Sequence, residues 1–335
     1  MTRAEFQKLL RKWCQEDDSD FLGFRELKNF IEFLESVLFH EYAPTAHGDH
    51  GEFGARLARW IGSADSDANR QTLYLMLRNL IFIGQNEISA SYRTAYSKIF
   101  LSWLIEQTDI CVFDEGAADQ LRQAQSSALF TQITDSFGLQ FFLRANHLHG
   151  QNDRYTWEQD LPNWDRENFQ QTRIVRQNRP DIQFIVLFED FVGSGTQMAE
   201  AVCNACSLGN GFKILLCPLI ICPEGAQLAE DLERRYENLC YRPVLGVASK
   251  FFIGENPIPD ENREFAEIRQ CLLDIHPKVM GGAQAQQNFG PFGYRDTGAF
   301  IVKYDNCPDN SVPAIHRRNG EDWHPLFFRT SREMI

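Results

Sequence analysis

The sequence predicts an α/β protein, a parallel sheet preceded by a helical N-terminal region. Three observations point there. Residues 184–188, Phe-Ile-Val-Leu-Phe, are apolar without alternation, as a parallel strand covered on both faces requires. After Asp109, short apolar segments alternate with helical patterns, which is the βαβ rhythm. Before Gln107, apolar residues recur at helical spacing instead.

Taken in order, Thr2 and Glu5 have capping-box spacing, and Phe6, Leu9, Leu10 and Trp13 follow on one helical face. A second helix is expected over Arg25–His40, with Leu27, Phe30, Ile31, Leu34, Val37 and Leu38 as its apolar stripe. Beyond a polar loop, Leu73, Met76, Leu77, Leu80 and Ile81 mark a third helix. Glu87–Gln107 marks a fourth, with Ala95, Ile99 and Trp103 toward the core. A boundary near Gln107 then separates a helical region, 1–107, from an α/β domain, 108–335. In that domain the expected strands are Ile110–Phe113, Ala128–Ile133, Phe184–Phe188, Ile214–Cys222, Tyr241–Val247 and Gly298–Tyr304. Helices are expected over Ala117–Ser127, Glu167–Gln177, Met198–Ser207, Gly225–Glu237 and Asn262–Leu273.

Composition narrows the class. With 43% hydrophobic and 13% aromatic residues among 335, the chain has ample material for a packed core. The longest apolar run, Ile214–Cys222, is interrupted by Pro218 and too short to span a bilayer, and MTRAEFQKLL lacks the apolar centre of a signal peptide. Cytoplasmic residence is therefore expected. Nine scattered cysteines, several inside apolar segments, suit buried thiols in a reducing compartment. A net charge of −13 argues against nucleic-acid binding by the chain as a whole, and it suits docking on a basic partner.

The chemistry concentrates after the apolar strand, where the sequence reads EDFVGSGT. A central parallel strand delivers Glu189 and Asp190 to its carboxyl edge, the place where open α/β sheets bind ligands. Two carboxylates there can accept hydrogen bonds from the vicinal hydroxyls of a ribose. Gly193 and Gly195 allow close backbone approach to an anion, and the helix that follows Ser194 and Thr196 points its unpaired N–H groups at it. A phosphate beside a ribose is the natural ligand.

This order of strand, acidic pair and GSGT loop resembles the phosphoribosyl diphosphate motif of the type I phosphoribosyltransferase fold. The resemblance implies that Glu189 and Asp190 bind ribose hydroxyls and that Gly193, Ser194, Gly195 and Thr196 hold the 5′-phosphate. A broader likeness covers roughly Leu80 to Trp323, through FLRANHLHG and GAFIVKYDNCPDNSVP. There the chain is similar to the phosphoribosyltransferase-like effectors of bacterial conflict systems, some of them associated with antiphage retrons.

A phosphoribosyltransferase needs a second, upstream loop for pyrophosphate. Thr134, Asp135 and Ser136 occupy that place, although a helix N-cap explains them equally well and Asp135 would repel pyrophosphate without a metal. Arg144 and His147, followed by His149, are candidates at a pocket mouth, His147 by resemblance. Lys250 could reach a base or phosphate or remain solvated. Asn306 and Asn310 could read a base edge or simply close a turn. Trp323 reads as a packing anchor. His47, Asp49 and His50, near His40, are better explained as a solvated loop than as a metal site. Cys203 and Cys206 are better explained as helix packing. Magnesium, where used, would be held mainly through the ligand's oxygens. The expected function is phosphoribosyl transfer or glycosidic bond cleavage by a toxin-like defence effector, the alternative being a nucleotide sensor or assembly partner. The partners this implies are a nucleotide or phosphoribosyl diphosphate, a retron reverse transcriptase with its nucleic acid, or another copy of the chain.

Overall fold

A computed structural model describes residues 1–17, 23–44, 51–148, 156–157, 182–209, 211–259, 261–281, 289–320 and 322–330. The first part of the chain gives α1 (Arg3–Glu16), α2 (Phe24–Val37), α3 (Phe53–Ser63), α4 (Asp67–Met76), β1 (Ile81–Ile83), α5 (Gln85–Thr94), α6 (Leu101–Gln107) and α7 (Ala117–Ser126). Next come β2 (Ala128–Gln132), α8 (Leu139–Ala145), β3 (Phe184–Val192), α9 (Thr196–Ser207), β4 (Lys213–Ile221), α10 (Pro223–Arg235), β5 (Leu239–Tyr241) and β6 (Leu245–Gly246). The chain closes with α11 (Phe265–Met280), β7 (Phe289–Gly290), β8 (Gly293–Tyr294), β9 (Ile301–Lys303) and α12 (Pro313–His316). No described helix is long and apolar enough to cross a membrane.

These elements form two compact units, Asn86–Ala248 and Met1–Gln85 with Ser249–Ile335. The second differs from a division at Gln107, because contacts distant in sequence knit the two chain ends together. Here β1 pairs in parallel with β9, Ile81 opposite Ile301. Two buried side chains fasten the same ends: Trp60 Nε1 donates to Ala314 O at 2.7 Å, and Arg56 Nε donates to Leu326 O at 3.0 Å.

Within this unit α1 opens on the expected capping box, Thr2 Oγ1 accepting from Glu5 N at 3.3 Å and Thr2 N donating to Glu5 Oε2 at 2.8 Å. Helix α2 buries Phe24, Leu27 and Ile31, whereas Phe30 and Val37 of the expected stripe face outward. Leu80 and Ile81 are not helical, since α4 tightens into a 3-10 turn over Leu77–Asn79 and the chain then extends as β1.

The Asn86–Ala248 unit is built on a five-stranded parallel sheet in which β3 lies between β2 and β4, while β5 and β6 pair with successive stretches of β4. Its strand β3 is central, as an unbroken apolar run predicts. Alternation along β3 decides what covers each face. Ile185 and Leu187 join a core with Val202 and Ala205 of α9 and Ala229 and Leu232 of α10. Phe184 and Phe188 face an aromatic layer, Phe184 against Trp103 at 5.6 Å and Phe188 against Phe142 at 4.5 Å between ring centroids. The expected strand Ile110–Phe113 does not form: Val112 and Phe113 lie in a turn and are exposed, Phe113 at 94%, so neither gains the burial that would favour a strand. The expected helix Glu167–Gln177 lies outside the described residues.

Candidate functional site

Strand β2 stops at Gln132, opposite Phe188, while β3 runs on beside β4 to Val192, opposite Ile221. The strand therefore continues through Glu189 and Asp190 instead of ending before them. With no β2 partner at that level, the acidic pair is left to the turn that follows β2. Being consecutive, the two residues leave the strand on opposite sides, and the turn spans both. Thr134 N donates to Glu189 Oε2 at 2.9 Å, and the Thr134 hydroxyl donates to Glu189 Oε1. Ser136 Oγ lies 3.2 Å from Glu189 Oε1 and 2.7 Å from Asp190 Oδ1, and 2.7 Å from Thr134 Oγ1. Both carboxylates are deeply buried, Glu189 at 6% exposure and Asp190 at 3%, so these bonds offset part of their desolvation.

Thr134 does not act as a helix cap, because its hydroxyl is directed to Glu189 and the short 3-10 turn Asp135–Phe137 has no side-chain cap. Asp135 is exposed at the tip of this turn.

On the other side of Asp190, the GSGT segment enters α9. Gly195 sits at φ +82°, a backbone conformation that favours glycine, and it occupies the N-cap position with no side-chain cap. Its surroundings are equally restrictive: a Cβ would come within 3.1 Å of Leu228 Cδ2 and 3.2 Å of Gly225 Cα. Ser194 is buried, and its Oγ is 3.3 Å from Thr196 Oγ1. The start of a 12-residue helix beside the buried Ser194 hydroxyl, the exposed Thr196 and a glycine turn is an arrangement suited to an anion. One contributor is not evident from the motif. Gly225, in the first turn of α10, lies so close to the loop that a Cβ there would be 2.6 Å from Gly193 O. Its only sequence signal is the Pro-Glu-Gly at the start of the helix after β4.

The remaining candidates divide by unit. Arg144, in the last turn of α8, and His147, at φ +54° just after it, are exposed in the same unit as the acidic pair. His47, Asp49, His50 and His149 lie outside the described residues. Lys250, Asn306 and Asn310 belong to the unit of the chain ends. Lys250 is exposed, its Nζ 5.2 Å from the Phe251 ring centroid. Asn306 Oδ1 accepts from Cys307 N and Thr330 N, both at 2.9 Å. Asn310 Nδ2 donates to Thr297 Oγ1 at 2.9 Å. Trp323 is fully buried and donates to Ala314 O at 3.0 Å. Cys206 packs into the core beneath α9, and burial raises its thiol to about 12. Among the described residues no group of three or more His, Cys, Asp or Glu is placed to hold a metal ion.

Comparison with known proteins adds one positive finding. The sequence model of the PRTase-CE family matches residues 57–329, which span every candidate residue of the acidic pair, both loops and the 306–310 turn, with α1 and α2 ahead of the match. No curated protein and no solved structure matches the chain.

Proposed function

The chain belongs to the PRTase-CE family and carries a phosphoribosyltransferase-like domain; from that footing we propose that it binds a ribose 5-phosphate ligand and acts at the ligand's C1. One observation carries this proposal above the others: buried Glu189 and Asp190 stand at the carboxyl end of a central parallel strand, one short glycine turn from the start of α9. The carboxylates would accept the ribose hydroxyls, and the GSGT turn would take the 5′-phosphate. Bond cleavage at C1 develops positive charge, which a fixed pair of negative groups stabilises more than it stabilises the ground state.

The chemistry is transfer from phosphoribosyl diphosphate or cleavage of a nucleotide's glycosidic bond. Magnesium, where used, would be held mainly through the ligand's oxygens and would supply positive charge to offset the phosphates near Asp135. In the cell the activity would belong to an antiphage effector, with a reverse transcriptase, its nucleic acid or a second copy of the chain as partner. That biological role rests on family resemblance.

A second possibility, binding without turnover, is favoured by a specific feature. Thr134 N–H and the Thr134 and Ser136 hydroxyls are directed inward to the carboxylates, whereas a pyrophosphate loop would present them to the ligand.

Asp190→Asn separates the two. It keeps shape and hydrogen-bonding capacity but removes the charge, so release of free base or pyrophosphate should fall by about two or three powers of ten with a smaller change in affinity. Full turnover in the mutant would remove the acidic pair from the mechanism. Wild-type toxicity without turnover on any nucleotide would favour the binding-only protein.

A further inference from the structure

Ser136 stands where a ligand hydroxyl would have to go. A diol bound by the acidic pair needs carboxylate oxygens of both residues, and Ser136 Oγ already lies 2.7 Å from Asp190 Oδ1 and 3.2 Å from Glu189 Oε1. Residue 136 is exposed while both carboxylates are buried, so its hydroxyl sits on the solvent side of the acceptor pair. Thr134 fixes the turn in that pose through its N–H to Glu189 Oε2 and its hydroxyl to Glu189 Oε1.

We propose that Ser136 is an internal competitor for the hydroxyl subsite of Glu189 and Asp190, a latch that a ribose diol displaces on entering. The proposal rests on the assignment of these two carboxylates as the hydroxyl acceptors. Its physical basis is that buried carboxylate oxygens left without donors are costly, and a hydroxyl carried by the neighbouring turn satisfies them while no ligand is bound. A ligand then gains only the difference between its own hydrogen bonds and those it displaces. Gly138, at φ +65°, ends the turn in a backbone conformation that favours glycine, and a Cβ there would meet the Phe141 ring at 2.9 Å.

The sign of one substitution decides the matter. Ser136→Ala removes the competing hydroxyl and leaves Thr134 in place. Calorimetric titration of the full chain with ribose 5-phosphate should give about fivefold tighter binding than wild type, the equivalent of one hydrogen bond of about 1 kcal/mol. Ser136→Gly should change affinity in the same direction, and thermal unfolding of both variants checks that they are folded. A pyrophosphate- or phosphate-binding role for Ser136 demands the opposite, weaker binding. Unchanged or weaker binding by both variants overturns the latch; if Asp190→Ala, which removes the acceptor altogether, weakens ribose 5-phosphate binding in that case, the ribose assignment stands. Absence of ribose 5-phosphate binding by wild type and variants alike overturns the latch and the ribose assignment together.

Discussion

Both units bury charged groups, and they satisfy them in different ways. In the unit of the chain ends, Arg56 donates to the carbonyls of Leu326 and Gly51 and lies 4.9 Å from the Tyr42 ring centroid. Arg269 pairs with Glu261 at 2.7 Å, and Lys303 with Asp305 at 3.4 Å. In the Asn86–Ala248 unit, the contacts of Glu189 and Asp190 include two small hydroxyls and one backbone N–H from the 134–136 turn, whose tip is exposed. A guanidinium held by carbonyls and rings is a fastener, because no small molecule reproduces that cage. Carboxylates held by hydroxyls on a turn are bound by groups that a polyol can imitate. If the acidic pair accepts ribose hydroxyls as proposed, the contrast separates charge buried for assembly of the fold from charge buried for recognition.

The largest effect expected from breaking this contrast is at the fastener. Arg56→Ala leaves the Leu326 and Gly51 carbonyls without their donor and removes the cation from among Tyr42, Phe53 and Phe327. Urea unfolding should show a loss of about 3 kcal/mol. Ribose 5-phosphate affinity, measured well below the unfolding range, should not move. A variant that loses affinity while keeping stability would reverse the roles given to the two units.

A somewhat smaller effect, of the opposite kind, is expected at the glycine turn. Gly195→Val places a β-branched side chain at φ +82° against Gly225 Cα, which cannot move aside as the Leu228 and Met198 side chains can. Loss of one charge-assisted backbone hydrogen bond to the phosphate, about 2 kcal/mol, corresponds to about thirtyfold weaker binding. Unchanged affinity in calorimetry would put the anion elsewhere.

The same contrast explains what could be read from the sequence. The strand, the acidic pair and the glycine turn are contiguous over residues 184–196, so periodicity and residue chemistry expose them directly. The capping box of Thr2 and Glu5 was legible for the same reason. Thr134 and Ser136 were visible as a small polar turn, but their bonds to Glu189 and Asp190 cross more than fifty residues and depend on β2 ending at Gln132. Nothing local encodes that register. The pairing of Ile81 with Ile301 was hidden too, so Leu80 and Ile81 read as the end of a helix. Phe30 and Val37 fit the helical period of α2 equally well, and only the packed neighbours show that they face outward.

The last test probes a fastener that titrates. His316 is buried, and its Nε2 lies 3.1 Å from the Ser311 carbonyl oxygen, which can only accept; Nε2 therefore carries the proton. Its Nδ1 is buried without a hydrogen-bond partner among the described residues. Burial, with the positive charges of Arg329 and Arg317, pushes the imidazole down to about 3 from an ordinary value of 6.5. Between those values the unfolded chain binds a proton that the folded chain refuses, so stability is present at neutral pH and is lost as the pH falls. From pH 6.5 to 5.5 this single group should cost about 1 kcal/mol of unfolding free energy. His276, also lowered by burial, acts in the same direction, so the two must be separated. Urea titrations of wild type and His316→Phe at both pH values do so, because only the share belonging to His316 disappears from the slope. A shallower slope in the variant is expected. Equal slopes would mean that His316 carries its charge inside the fold, and this end of the molecule would then respond to protons through contacts other than those of its imidazole.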